Sequence, residues 1–345
     1  MKYDDILNIN KKIKSSIDRY SIGLANGKMG ICIYFYHLSR VEKNLEYESF
    51  ADTILEEIIR NIPPYESIGV QSINVESGLA GIAIGINHLL EEKFIEGNID
   101  EILEDIDDII FKIISSEKDN LQFIEPNRII KIIYYLYIRY IKQKDENGKY
   151  IFSELIIKSI ESLYQKITPS FFDETISFST NFNLPIFLFV ISRIMSLNIY
   201  NYRINKILFE YKIKILSTFP LSHANRLFLL FGMVSIKSYI NSIELNKQIE
   251  LLKENIDLNL ILSEELKNMQ LFLSNGISLV YFLLSYLQKK HPESAIKFDP
   301  VIICNRIICS ELWKKIEDDN YSYGMLDGIS GALLTLSYIK TDNNL

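Results

Sequence analysis

Three cysteines and four histidines are all that this chain of 345 residues offers for thiolate or imidazole chemistry. Cys32 stands alone, and Cys304 and Cys309 lie five apart in an isoleucine-rich segment. That is not the C-x-x-C spacing that sets two thiolates on one metal. A sparse, odd number implies no disulfide framework, so buried or half-buried free thiols are expected. His37 and His88 fall about two turns into apolar helical stretches. An imidazole there either bonds a core neighbour or points into a central cavity. His291 precedes Pro292 in a loop and is expected to be solvated. His223 sits in the turn Ser222-His223-Ala224 ahead of an apolar helix. It would cap that helix or, facing a cavity, act as a general base. Asp327, just before Gly328, would cap the next helix or face the same cavity. Glycoside hydrolysis needs two carboxylates at such a mouth, and Asp327 is the one acid convincingly placed there.

The elements that must position these residues are announced by a repeated phrase. It reads Gly23-Leu24-Ala25-Asn26-Gly27-Lys28-Met29-Gly30, then Ser77-Gly78-Leu79-Ala80-Gly81 continuing to Gly85. It returns as Ser274-Asn275-Gly276-Ile277-Ser278 and as Leu326-Asp327-Gly328-Ile329-Ser330-Gly331. Each copy runs into an apolar helical stretch. Three further apolar helices, after Pro126, Asn183 and His223, occupy the intervals between the second and sixth copies. Starts near residues 24, 79, 127, 181, 223, 276 and 328 predict seven buried helices at a regular spacing. Stretches such as Ala51–Ile59 and Ile102–Ile110 instead alternate apolar and charged positions at helical period, as half-solvated outer helices do. The expectation is an all-α architecture of one domain over residues 1–345, an α/α toroid of about seven inner and seven outer helices. Asp145–Gly148 and Asp318–Asn320 are read as hairpin loops.

Glycine at these turns would permit positive φ and close approach of neighbouring chains. Helix N-termini converging on one mouth would be receptive to anions. The net charge of −7 gives neither the basic stripe of a nucleic-acid binder nor a polybasic membrane handle. The charged N-terminus lacks the apolar run of a signal peptide, and the longest apolar runs are too short to span a bilayer. A cytoplasmic protein is expected. The acidic run Glu91–Asp108, with Lys93 its only base, reads as a solvated outer face or a docking surface. The 21 tyrosines and 19 phenylalanines read as inter-helix packing, or as the lining of a peptide funnel.

The glycine phrases, best kept at Gly23–Gly30, Ser77–Gly85, Leu273–Leu287 and Leu326–Tyr338, resemble those of the lanthionine synthetase C family. The resemblance extends from about Ile22 to Ile339. It implies a seven-fold toroid that adds cysteine thiols to dehydrated Ser or Thr of ribosomally made peptides, using zinc held by two cysteines and a histidine. At the matching positions this chain has Ser222 in the fifth repeat and Ser274 and Asn275 in the sixth. The proton-transfer histidine of the family's fourth repeat falls near Thr180-Asn181. A neutral hydroxyl or amide is a poor zinc ligand, so no zinc and no other cofactor is expected. The resemblance then implies a partner of a precursor peptide or its leader, and of a dehydratase or other modification enzyme. Two roles stay open: a zinc-free binding scaffold, or a metal-independent cyclase with His223 as base.

Overall fold

Which residues a helix buries separates the layers. In chain order come α1 (Tyr3–Ser16), α2 (Lys28–Glu42), α3 (Leu45–Arg60), α4 (Leu79–Glu91), α5 (Ile99–Ser115), α6 (Pro126–Lys142), α7 (Glu146–Lys166) and α8 (Asn183–Ser196). There follow α9 (Asn201–Glu210), α10 (Lys212–Ser217), α11 (His223–Ile236), α12 (Ile243–Glu254) and a short α13 (Leu258–Leu260). The last are α14 (Ile277–Lys290), α15 (Pro300–Ile308), a short α16 (Leu312–Lys315) and α17 (Ile329–Asn343). This computed structural model describes residues 3–64, 69–116, 120–240, 242–267, 269–316 and 321–343, and no strand occurs among them. The loop expected at Asp318–Asn320 lies outside the described residues.

α2 is buried without interruption from Lys28 to Ser39. α5 buries only the stripe Leu103, Ile106, Ile109, Ile110, Ile113 and Ile114, leaving most of its acids outward. The covered helices α2, α4, α6, α8, α11, α14 and α17 pack side by side in that order, and α17 returns to α2 to close the ring. Outside them α3 lies on α2, α5 on α4, α7 on α6, α9 on α8, α12 on α11 and α15 on α14 and α17. α1 completes the outer layer, tied to α2 by the Tyr34 hydroxyl donating to Asn10 Oδ1 at 2.7 Å. This is the seven-plus-seven α/α toroid that the repeats predict.

Three details differ from the sequence reading. Asp145 does not open a loop running to Gly148; its Oδ2 accepts from Gly148 N at 3.0 Å and starts α7 at Glu146. The acidic run is not wholly solvated, because Asp100 and Asp107 turn inward to the buried Arg139 of α6, 2.8 and 2.7 Å from its Nη2. The turn glycines do not need positive φ, since Gly97 alone among the described glycines has it. Gly27 is extended at φ −122°. Crowding is what selects glycine: a Cβ on Gly27 would lie 2.4 Å from Gly23 O, and one on Gly81 1.9 Å from Val75 O. The crowding arises because each loop folds back on its helix start. Lys28 N donates to Ser21 O, Ile277 N to Gln270 O and Ile329 N to Ser322 O, at 2.7, 3.0 and 3.0 Å.

Candidate functional site

The turns at the inner-helix starts form one mouth, laced by backbone hydrogen bonds. Ala25 N donates to Glu76 O (2.7 Å), Leu326 N to Ala25 O (2.6 Å), Ser274 N to Leu326 O (3.0 Å) and Thr180 N to Ser274 O (2.8 Å). The second, first, seventh, sixth and fourth turns are thereby joined in sequence. Asp327 belongs to this lacing. Its Oδ2 accepts from Asn26 Nδ2 at 2.7 Å, while its N–H donates to Asn26 Oδ1 at 2.9 Å. The aspartate thus clasps the last repeat to the first across 301 positions of sequence.

The fifth turn is held differently. Ser222 Oγ caps α11 by accepting from Asn225 N at 3.1 Å. The two oxygens of Glu265 accept from His223 N (2.6 Å) and Ala224 N (2.8 Å). Glu174 accepts from Leu221 N (3.1 Å) and Asn225 Nδ2 (2.8 Å). The start of α11, which could have attracted an external anion, already carries a carboxylate of this chain. The His223 ring lies against the end of α12: Nδ1 accepts from Asp257 N at 3.1 Å and sits 3.0 Å from Asn255 O. A nitrogen that accepts cannot also donate to that carbonyl, which instead receives Arg226 Nη1 at 2.9 Å. The arrangement fits a neutral ring protonated on Nε2.

Ser274 and Asn275 lie in the lacing without partners for their side-chain oxygens: Ser274 Oγ and Asn275 Oδ1 are buried and unbonded. His223 shares no hydrogen bond with either. A zinc ion held in this fold would ask for thiolate and imidazole. The residues present supply hydroxyl and amide oxygens, so the donor set does not fit that metal. No group of three His, Cys, Asp or Glu among the described residues is arranged to hold a metal. Cys32 is buried beside Ala51 O, and Cys304 and Cys309 belong to the α15 end of the outer layer. Burial pushes the Cys32 thiol well above its ordinary range, the charge of Asp52 adding to it, which keeps it protonated.

About two turns below the mouth, each inner helix contributes one ring to a central layer. These are His37, His88, Tyr134, Phe189, Phe231, Tyr286 and Tyr338. Several of these rings touch: Tyr134 and Phe189 lie 5.7 Å apart between centroids, Phe189 and Phe231 5.0 Å, Phe231 and Tyr286 4.9 Å. Phe282 links to Tyr338 at 5.3 Å, and Tyr338 to His37 at 4.7 Å. His37 and His88 meet Nε2 to Nε2 at 2.9 Å with centroids 5.2 Å apart. The rings therefore face head to head, and one proton must lie between the two nitrogens. The Tyr338 hydroxyl is 3.2 Å from the same His37 nitrogen. Burial, then the charges of His88 and Arg40, bring His37 down from an ordinary 6.5 to about 3, and burial also lowers His88. Both rings are neutral near pH 7. His291 stands apart from this pair, its ring 5.7 Å from that of Tyr286.

Sequence reasoning found His37, His88, His223 and Asp327 but not their partners. Asn26 could have been flagged, since it precedes Gly27 as Asp327 precedes Gly328. The similar depth of the seven rings, six to nine residues into each helix, was a second usable signal. Glu174 and Glu265 had none, because the loops that carry them follow no repeat.

Residues 18–177 match the family of the lanthionine synthetase C-like protein. No curated protein matches the sequence. Among solved structures, nisin cyclase superposes with a TM-score of 0.64 at 17% identity, covering 100% of this chain and 95% of that one. By sequence, residues 18–177 resemble lanthionine synthetase C-like proteins, and along its whole length the chain shares the fold of nisin cyclase.

Proposed function

We propose that this protein acts in the maturation of ribosomally made, lanthipeptide-type peptides as a zinc-free binding scaffold. Its partner is the precursor peptide or its leader, or the dehydratase that modifies it, and it works in the cytoplasm where such peptides are made. No helix among the described residues is long and apolar enough to cross a membrane. The observation that carries the reading is the state of the mouth. The toroid is kept, yet Ser222 caps a helix and Ser274 and Asn275 offer only neutral oxygens in the lacing between turns. The aromatic layer supplies large amphipathic surfaces of the kind that hold peptide side chains. A metal-independent cyclase would need a free base, and the Nδ1 of His223 already accepts a backbone N–H.

The test is to mix the purified protein with a dehydrated precursor peptide in chelator-treated buffer. Retention of the peptide on the protein, with no mass-neutral loss of free thiol, is the expected result. Ring closure that depends on added zinc would overturn the proposal, and zinc-free closure abolished by His223→Ala would transfer it to the cyclase reading.

A further inference from the structure

We propose that the cleft between α1 and the corner joining α15 to α16 binds an acidic, partly apolar peptide segment. The proposal deepens the peptide-binding reading and rests on it for the partner's identity. The cleft has a volume of about 760 Å³, and Lys11, Lys12 and Lys314 stand on its walls above Ile9, Cys309 and Trp313. Among the described residues no acidic side chain lines it, in a protein whose net charge is −7.

The three ammonium groups are free of hydrogen bonds and ion pairs among the described residues. Other cations of this chain are engaged: Lys28 with Glu57, Lys131 with Glu76, Arg139 with two aspartates and Lys214 with Asp173. Three unpaired positive charges around one concavity attract anionic groups and speed their arrival. Compact phosphate is the poorer match. Among the described residues no arginine lines the cleft, α16, which starts at its wall, has only four residues, and α15 ends there with Cys309 as its C-terminal cap. Separated lysines above an apolar floor suit a chain that alternates carboxylates with apolar side chains. The floor is firm: Ile9 is buried, and Trp313 donates its Nε1 proton to Ile307 O at 2.5 Å.

The protein carries its own reporters. Trp313 is the only tryptophan, and Cys309 is the only exposed cysteine of the three. A short glutamate–leucine peptide, titrated into the intact protein, is expected to change Trp313 fluorescence saturably and to slow alkylation of Cys309 several-fold. Raising salt should weaken it, and K11Q/K12Q/K314Q should weaken it roughly tenfold without altering the melting temperature. No saturable change, equal binding by a lysine–leucine peptide, undiminished binding to the triple variant, or the same response to inorganic phosphate would each overturn the proposal. A precursor peptide that binds without protecting Cys309 sinks the cleft and leaves the maturation reading intact. Protection by the glutamate–leucine peptide, beside a precursor that fails to bind, does the reverse.

Discussion

Acidification from pH 7.5 to 5.0 is expected to weaken the ring through the His37–His88 pair. Burial holds His37 at about 3 against an ordinary 6.5, so between those values the unfolded chain binds a proton that the folded one refuses. Stability therefore falls as pH drops below 6.5 and goes on falling toward 3. At pH 5.0 the loss from this group alone is about 2 kcal/mol, one and a half pH units at about 1.4 kcal/mol each. Arg40, Glu91 and Glu92 face the pair from α2 and the end of α4, and the Tyr338 hydroxyl faces it from α17. A double protonation would set two N–H groups against each other across 2.9 Å, between α2 and α4. Urea unfolding at both pH values, for the parent and for H37Q/H88Q, isolates the effect from other titrating groups. Glutamine can keep a bond to its neighbour but does not titrate. The parent should lose about 2 kcal/mol more than the variant; equal losses would refute the reasoning.

Other expectations follow from single contacts. Asn26→Ala removes both bonds to Asp327; because the clasp is exposed, a loss of about 1 kcal/mol in chemical denaturation is expected. Glu265→Ala uncaps α11 at His223 N and Ala224 N, which should cost about 1–2 kcal/mol by the same measurement. Gly81→Ala drives a Cβ against Val75 O and should cost about 3 kcal/mol or prevent folding, whereas Gly69→Ala, with nothing within 4 Å, should stay within about 0.5 kcal/mol.

The inner helices were legible because each is a local signal: an apolar run behind a small-residue or capping turn. The expected starts near 79, 127, 223, 276 and 328 fall within a residue of α4, α6, α11, α14 and α17. The first helix begins at Lys28 rather than 24, since Gly23 to Gly27 is the loop that folds back on it. α1 was not foreseen as the outer helix that completes the ring; a polar segment such as Asn8-Ile9-Asn10-Lys11-Lys12 declares no buried face until its partner is known. The break at Tyr211 between α9 and α10 likewise carries no proline or glycine to announce it. At the site, sequence supplied the residue types and withheld the pairings. His37 meets His88 across 51 positions and Asn26 meets Asp327 across 301. The first needs consecutive repeats to pack side by side, and the second exists only because the ring closes. Asp327 was expected to cap a helix or face the mouth, and ring closure pairs it there with Asn26.

The proposed scaffold role rests on a toroid whose mouth offers neutral oxygens and the chain's own capping carboxylates. The most direct test is the zinc content of the purified protein, by elemental analysis after exposure to excess zinc and removal of free metal. The account predicts far less than one zinc per chain. One tightly bound zinc per chain would contradict it.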